Sequence, residues 1–211
     1  MRVELEVRAL PARVGPPIGV TSALAAIALV VMGFVFAGQS TGAAIDVWAG
    51  DYLRHLESPW RQLALIVDWT GEPVGAALVL ATLVTVFLRA GNRRAALLAV
   101  AGPAVAVAVT TAMKPLVGRT INDGFLSFPS GHTATATAFA LVVMLVVVRE
   151  RTAGAGMALI AVVTVPVAAL MALAQVLLNA HYLTDTLGGF CTAVAVVPAV
   201  AWVLDRLPWP E

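Results

Sequence analysis

Long apolar runs, each bounded by charged residues, glycine or proline, fill most of the 211-residue chain. The hydrocarbon core of a bilayer requires about 20 consecutive helical residues, so runs of this length predict helices that cross a membrane. The polar stretches between the runs are short, except for one insertion after the first. The predicted helical segments are 18–38, 73–88, 95–113, 132–148, 155–178 and 186–203.

The expected fold is all-α, an integral membrane bundle of six transmembrane helices that forms one domain over residues 1–211. A secretory signal peptide is the alternative for the first run, but its apolar part would be only about 7–15 residues long. Residues 1–17 are then a cytoplasmic N-terminal segment. The insertion 39–72 predicts an outward interfacial loop, because aromatic residues concentrate at membrane boundaries. Its aromatic residues include Trp48, Tyr52, Trp60 and Trp69.

The composition fits a membrane protein and narrows the classes of partner. Hydrophobic residues make up 60% of the chain and charged residues 12%, whereas an ordinary soluble domain has about 25% charged residues. The formal net charge is +1 and no Lys/Arg-rich run occurs, so nucleic acid is not an expected partner. The single cysteine, Cys191, rules out an intramolecular disulfide and a thiolate metal site.

The distribution of positive residues predicts the orientation. Nine positive residues fall on the side of the two termini and four on the opposite side. Since cytoplasmic loops carry an excess of Lys and Arg, both termini are expected in the cytoplasm, with loops 114–131 and 179–185 facing outward. An Ala-, Val-, Gly- and Arg-rich chain with a single lysine is typical of GC-rich bacteria, so a bacterial plasma membrane is the expected location. The first group is Arg2, Arg8, Arg13, Arg89, Arg93, Arg94, Arg149, Arg151 and Arg206, and the second is Arg54, Arg61, Lys114 and Arg119.

A Pro-Ser-Gly-His sequence opens the fourth predicted helix. Ser130 can cap the helix, and the free backbone N–H groups from Gly131 onward form an anion site together with the helix dipole. His132, next to this anion site, is a candidate proton donor. The alternative is a turn and cap without chemistry.

Two further groups of polar residues lie on the same outward side. His181 and Asp185 are four residues apart, so the carboxylate can orient the imidazole; the alternative is a structural pair that caps the last helix. Lys114 and Arg119 follow the third helix and could neutralise a phosphate dianion. Their alternative is a role as membrane-interface anchors.

A metal site is the competing interpretation of the histidines. His132, His181 and Asp185 could form a two-histidine, one-carboxylate face, but the two neighbouring cations would repel a metal ion. Among further carboxylates only Asp123 is close in sequence. We therefore expect no metal and no cofactor. The third histidine, His55, has no motif around it and is expected to be exposed.

The order of these groups resembles the type 2 phosphatidic acid phosphatase, or lipid phosphate phosphatase, superfamily. The resemblance implies that His181 is the nucleophile, oriented by Asp185, and that His132 protonates the leaving lipid oxygen and then activates water. It also implies that Lys114 and the helix start at Ser130 and Gly131 hold the phosphoryl oxygens without a metal.

The chain departs from the family pattern at two arginine positions. Ile121 and Asn122 stand where the first motif has arginine and proline, and Arg119 comes two residues earlier. Gln175, preceded by Ala174, stands where the third motif has arginine. Both Arg119 and Gln175 are expected in the phosphate-binding set. A lost contact to a charged group costs about 1.5–3 kcal/mol, so activity on a standard substrate is expected to fall.

The expected function is metal-independent hydrolysis of a membrane lipid phosphate through a phosphohistidine. A polyprenyl phosphate or pyrophosphate, a prenyl-linked sugar phosphate and a phosphatidate-type lipid all fit, and the sequence does not indicate an oligomeric state. A second hypothesis is a catalytically weakened member that binds lipid phosphate or scaffolds a partner. A transporter is a third, disfavoured because few charges other than the motif residues, Asp68 and Glu72 fall in the predicted spans.

Overall fold

The computed structural model describes residues 8–122 and 124–208. These residues are helical apart from one short antiparallel hairpin, so the predicted all-α class is confirmed. The helices are α1 (Gly15–Val35), α2 (Ala44–Leu53), α3 (Trp60–Trp69), α4 (Pro73–Arg89), α5 (Arg93–Val117), α6 (Gly131–Val147), α7 (Ala153–Leu177) and α8 (Leu183–Leu204). The strands are β1 (Thr120–Ile121) and β2 (Phe125–Leu126).

Each of the six predicted segments corresponds to one helix, but not every helix is long enough to cross a bilayer alone. By length and composition, α1, α5, α7 and α8 can do so. Helices α3 and α4 qualify only together, as one span with a 61° bend. With 17 residues, α6 extends about 25 Å, which is shorter than a hydrocarbon core of about 30 Å. An integral membrane fold is therefore supported, and the number of six crossings stays a prediction.

The insertion predicted as an interfacial loop contains two short helices, α2 and α3. Ala64 of α3 packs against Ala174 and Leu177 near the end of α7. A helix can place its apolar residues on one side and bury them against a neighbour. Helix α3 buries its apolar side against α7 in this way. The aromatic residues of the insertion remain on the outside, and the Trp48 and Tyr52 rings stack with centroids 6.5 Å apart.

Helix α6 lies at the centre of the bundle and packs against α5, α7 and α8. Small side chains permit this close packing, and Ala134 and Ala138 of α6 are fully buried. The two backbones approach closely at Gly189 of α8, where an added Cβ would collide with the carbonyl oxygen of Ser130. The start of α6 is thereby fixed against α8.

Because consecutive long helices run in opposite directions, the predicted site residues all meet at one end of the bundle. At the other end of the bundle, Asp205 links the end of α8 to the segment before α1. Its carboxylate accepts hydrogen bonds from the backbone N–H groups of Ala9 (2.7 Å) and Leu10 (3.0 Å). Arg94 pairs with the same carboxylate at 3.3 Å. Of the arginines predicted on this side, Arg2 lies outside the described residues.

We expect Gly189→Ala to destabilise the protein by about 1–3 kcal/mol, because its methyl group must displace the backbone of Ser130. Thermal unfolding in detergent measures this cost. Gly154→Ala is the matched control, since Gly154 has open space around it and also lies in a helix. Equal melting temperatures for the two variants would show that the close contact is unimportant.

Candidate active site

The start of α6 has the geometry of an anion site. The Ser130 Oγ accepts a hydrogen bond from the Thr133 backbone N–H at 3.3 Å and caps the helix. The Ser130 N–H donates to the Asp185 carbonyl oxygen at 2.9 Å, which ties the starts of α6 and α8 together. The first N–H groups of a helix have no partner within the helix, so those after Ser130 can receive an anion.

His181 lies in the turn between α7 and α8 and is 7% exposed. Its Nδ1 is 3.6 Å from the Asp185 Oδ2, slightly longer than a hydrogen bond, and this oxygen also accepts from the Tyr182 N–H at 2.9 Å. Burial lowers the pKa of His181 below its ordinary value of 6.5, Asp185 partly offsets this, and the charges of Lys114 and His132 lower it further. His181 is therefore neutral near pH 7, with its Nε2 on the side away from the carboxylate.

Arg119 forms the most buried charge network at this end of the bundle. Its guanidinium pairs with Asp185 through Nη1 (2.6 Å) and with Asp46 of α2 through Nη2 (2.9 Å). The rings of Phe36 and Tyr182 cover its two sides, with centroids 4.0 and 4.5 Å from Cζ. Arg119 and both carboxylates are almost completely buried.

Asp46 also fixes the start of α8. Its Oδ1 accepts from the Thr184 N–H at 2.8 Å, and its Oδ2 accepts from the Thr184 hydroxyl at 2.8 Å. Oδ2, which also accepts from Arg119, accepts a third hydrogen bond, of 2.9 Å, from the Ala43 N–H at the start of α2. Asp46 therefore joins α2, Arg119 and the turn that contains the catalytic candidate His181.

Two acidic residues lie beside the other histidine. Asp68 Oδ1 and Glu72 Oε1 are each 3.5 Å from the His132 Nε2. They come from the end of α3 and the residue before α4, where the chain bends over the start of α6. Gln175, fully buried on α7, donates from its Nε2 to the Asp68 Oδ1 at 2.6 Å.

Comparison with known proteins identifies the family. Residues 76–209, more than half of the chain, match the model of the PAP2 superfamily. The chain belongs to the PAP2 superfamily. The fold is similar to that in the crystal structure of the first transmembrane PAP2 type phosphatidylglycerolphosphate phosphatase from Bacillus subtilis, with a TM-score of 0.68 and 16% identity over 88% of this chain and 96% of that chain. A search of curated proteins gave no match.

Within this PAP2 protein, the predicted residues divide into two groups. Lys114, at the end of α5, lies close enough to His181 for its charge to lower the pKa of that histidine. The bundle brings together the proposed catalytic residues and the α6 start. This first group consists of Lys114, Ser130, Gly131, His132, His181 and Asp185.

The second group, Arg119 and Gln175, needs correction as phosphate ligands. Arg119 is 0% exposed and its two terminal nitrogens are engaged by Asp46 and Asp185, so it cannot also face a substrate in this arrangement. Gln175 is directed to Asp68. Both residues support the groups around them.

The other departures from the PAP2 pattern also have structural roles. Ile121, in the position of a motif arginine, is 5% exposed and pairs with Phe125 in the hairpin. Asn122 exchanges hydrogen bonds with Asn179, donating to its carbonyl oxygen at 2.5 Å and accepting from its side chain at 2.9 Å. These contacts attach the hairpin to the turn before His181.

The residues that could hold a metal ion in the structure differ from the group of His132, His181 and Asp185 considered from the sequence. Across residues 8–122 and 124–208, the metal-compatible group consists of Asp68, Glu72 and His132, whose ligand atoms lie within 4.8 Å of one another. His181 and Asp185 are not in it. Asp123 lies outside the described residues, and His55 is exposed as expected.

Sequence reasoning missed Asp46 as a site residue and gave Asp68 and Glu72 no role in the chemistry. Asp46 is a single acid between Ile45 and Val47, a position that suggests an exposed residue of an insertion. Asp68 and Glu72 are four residues apart, and their closeness to a predicted span was the available signal. All three are brought to the site by long-range packing of the insertion.

We expect Asp46→Asn to destabilise the protein on the order of 3 kcal/mol, because in either orientation the amide NH2 would face buried hydrogen-bond donors that the carboxylate now accepts from. Thermal unfolding in detergent checks this. Asp51→Asn on the exposed side of α2 is the control and should change stability by no more than about 0.5 kcal/mol. A similar small effect of both substitutions would contradict a structural role for the buried network.

Proposed function

We propose that the protein hydrolyses a membrane lipid phosphate, without a metal ion, through a phosphohistidine at His181. The main observation behind this proposal is that a buried, neutral His181 lies at the same end of the bundle as the α6 anion site and a second histidine. Membership of the PAP2 superfamily supports phosphatase activity in general.

In the first step, the His181 Nε2 attacks the phosphorus and the bond from phosphorus to the lipid oxygen breaks. His132 donates a proton to that oxygen, so the lipid alcohol leaves neutral. Asp185 stabilises the imidazole from the Nδ1 side, where it lies at 3.6 Å. The two ring nitrogens of His181 thus have separate roles.

In the second step, water replaces the histidine on phosphorus. His132, now deprotonated, accepts a proton from the attacking water, and the phosphorus–nitrogen bond to His181 breaks. Inorganic phosphate leaves and both histidines return to their starting states.

The phosphoryl oxygens are held by Lys114, the Ser130 hydroxyl and the Gly131 N–H. The N-terminal end of the α6 dipole adds favourable potential for an anion. Arg119 contributes indirectly, because it orients Asp185 through the 2.6 Å ion pair. Fewer fixed cations face the phosphate than the family pattern provides.

The proposed substrate is a lipid phosphate whose tail lies in the bilayer, such as a polyprenyl phosphate or a phosphatidate-type lipid. An apolar groove of about 310 Å³ between α7 and α8 begins at Thr133, Leu183 and Thr186, next to the histidines. Its lining is suited to a hydrocarbon chain. The site faces outward in this proposal, because the opposite end of the bundle has more arginines.

Phosphate release by detergent-purified protein with EDTA present is the direct test. We expect His181→Ala to lower kcat by about 10³-fold or more, and His132→Ala by about 10²–10⁴-fold, since they remove the nucleophile and the proton donor. His55→Ala, a change at the exposed third histidine, should retain full activity.

Two results would contradict the proposal. Activity that disappears with EDTA and returns with a divalent cation would argue for a metal-dependent reaction. The second result has two parts. The wild type hydrolyses no substrate in a panel of polyprenyl and glycerolipid phosphates, and the His181→Ala variant binds lipid phosphate as well as the wild type does. The protein is then a binding or scaffold member. The missing arginines at Ile121 and Gln175 are the observation that favours this second function.

The pH dependence follows from the lowered pKa of His181. The imidazolium form has no free lone pair, so kcat/KM should fall as the pH decreases through the folded-state pKa. Because burial moves this pKa below its ordinary value of 6.5, the decline assigned to His181 should be centred below pH 6.5. A profile of kcat/KM, corrected for the measured second ionisation of the substrate phosphate, tests this, and a midpoint above 6.5 would be inconsistent with a neutral buried nucleophile.

A further inference from the structure

The bend between α3 and α4 folds over His132. The backbone of Gly71 is so close to the imidazole that an added Cβ would lie 2.5 Å from the His132 Cδ2. On either side of Gly71, Asp68 and Glu72 place carboxylate oxygens 3.5 Å from the His132 Nε2. Two acids therefore flank the atom that donates a proton to the leaving lipid oxygen in the proposed mechanism.

A buried carboxamide reaches the same group. Gln175 is 0% exposed and its Nε2 donates to the Asp68 Oδ1 at 2.6 Å. Its Oε1 is buried and has no hydrogen-bond partner among the described residues, and the same is true of the His132 Nε2. The protonated His132 Nε2 has the two carboxylates beside it as acceptors. The Gln175 Oε1 can only accept, and buried polar atoms are nearly always hydrogen-bonded, so this oxygen points to a ligand that carries a hydrogen-bond donor.

The charged residues at this end of the bundle indicate that the ligand is positively charged. Among the described residues around the two histidines, four carboxylates stand against two fixed cations and the one proton that His132 carries in the proposed first step, which leaves a negative excess of one. A phosphate dianion would increase this negative excess, and like charges at such distances repel. A positive group bound with the phosphate would reduce the repulsion. The carboxylates are Asp46, Asp68, Glu72 and Asp185, and the cations are Lys114 and Arg119.

We propose that Asp68 and Glu72 bind an ammonium group on the lipid alcohol of the substrate, close to the phosphate ester. This inference rests on the proposed function, in which His132 faces the leaving oxygen. The two carboxylate oxygens lie within 4.8 Å of each other. One ammonium can therefore donate to both at the usual distance of about 2.7–2.9 Å.

The same residues are less suited to a metal ion in this reaction. A metal held by the group would take the His132 Nε2 as its third ligand. That nitrogen could then no longer transfer a proton. An ammonium group uses the two carboxylates and leaves the imidazole free to act as an acid.

A matched pair of substrates tests the inference at pH 7. One is hexadecyl phosphate with an amine on the carbon next to the ester carbon, and the other has a hydroxyl in place of the amine. For the wild type, kcat/KM should be at least about tenfold higher for the amine, the size of effect that one charge-assisted contact gives. Glu72→Gln and Asp68→Asn should each reduce this ratio toward one.

The choice of variants separates the loss of the acidic subsite from general damage. The Glu72 side chain is 51% exposed and the Asp68 side chain 21%, and both replacements keep the shape of the side chain. Asp51→Asn, which removes an exposed carboxylate from α2, is the matched control and should leave the substrate ratio as in the wild type.

The outcomes distinguish this inference from the proposed function. Hydrolysis of both substrates with equal kcat/KM, or a ratio that survives Glu72→Gln, would overturn the ammonium subsite alone. A preference that requires added Mn²⁺ and disappears with EDTA would also overturn it, in favour of a metal at the carboxylates. If the wild type hydrolyses neither substrate and no polyprenyl or glycerolipid phosphate in the panel, the proposed function fails. The affinity of the His181→Ala variant for each of the two substrates, measured by calorimetry, then tests the ammonium subsite. Tighter binding of the amine supports the subsite, and equal affinity for the two substrates rejects it.

Discussion

The buried pairing of Arg119 with Asp46 and Asp185 is the interaction on which the arrangement of the candidate site depends. Three charges with almost no exposure to water are stable because Arg119 pairs with both carboxylates, and because Arg119 and Asp46 are also hydrogen-bonded to Thr184. The network joins three parts of the chain that are distant in sequence. Removing Arg119 would leave two buried carboxylates without a cation, and removing a carboxylate would leave buried hydrogen-bond donors of Arg119 without an acceptor.

From this network the geometry extends to the reacting atoms. Asp185 pairs with Arg119 through one carboxylate oxygen and faces the His181 Nδ1 with the other. Its backbone carbonyl accepts from Ser130, at the start of the helix that presents the anion site. The orientation of the proposed nucleophile and the position of the proposed phosphate site are therefore coupled through one residue. The close contact of Gly189 with Ser130 holds the two helix starts in the same relation.

The sequence predicted the helical class, the positions of the long helices and the end at which the motif residues meet. These depend on local patterns, namely apolar run length and helix-start motifs. It did not predict the helices α2 and α3, because they pack against α7, and α2 also against α8, which are distant from them in the sequence. For the same reason, Asp46 and the role of Arg119 could not be inferred, since a fixed spacing in sequence does not show which side of a loop faces the core.

The replacement of the family arginine by Gln175 is related to the acidic residues that the insertion brings to the site. Where arginine is expected, Gln175 makes a hydrogen bond to Asp68, a bond in which an amide replaces a full positive charge. An arginine at that position would pair with Asp68 and offset its charge. With glutamine there, the carboxylates keep their charge beside His132. The substitution and the two acids thus act in the same direction: they shift the leaving-group side of the site from positive to negative and favour a lipid alcohol that carries a cation.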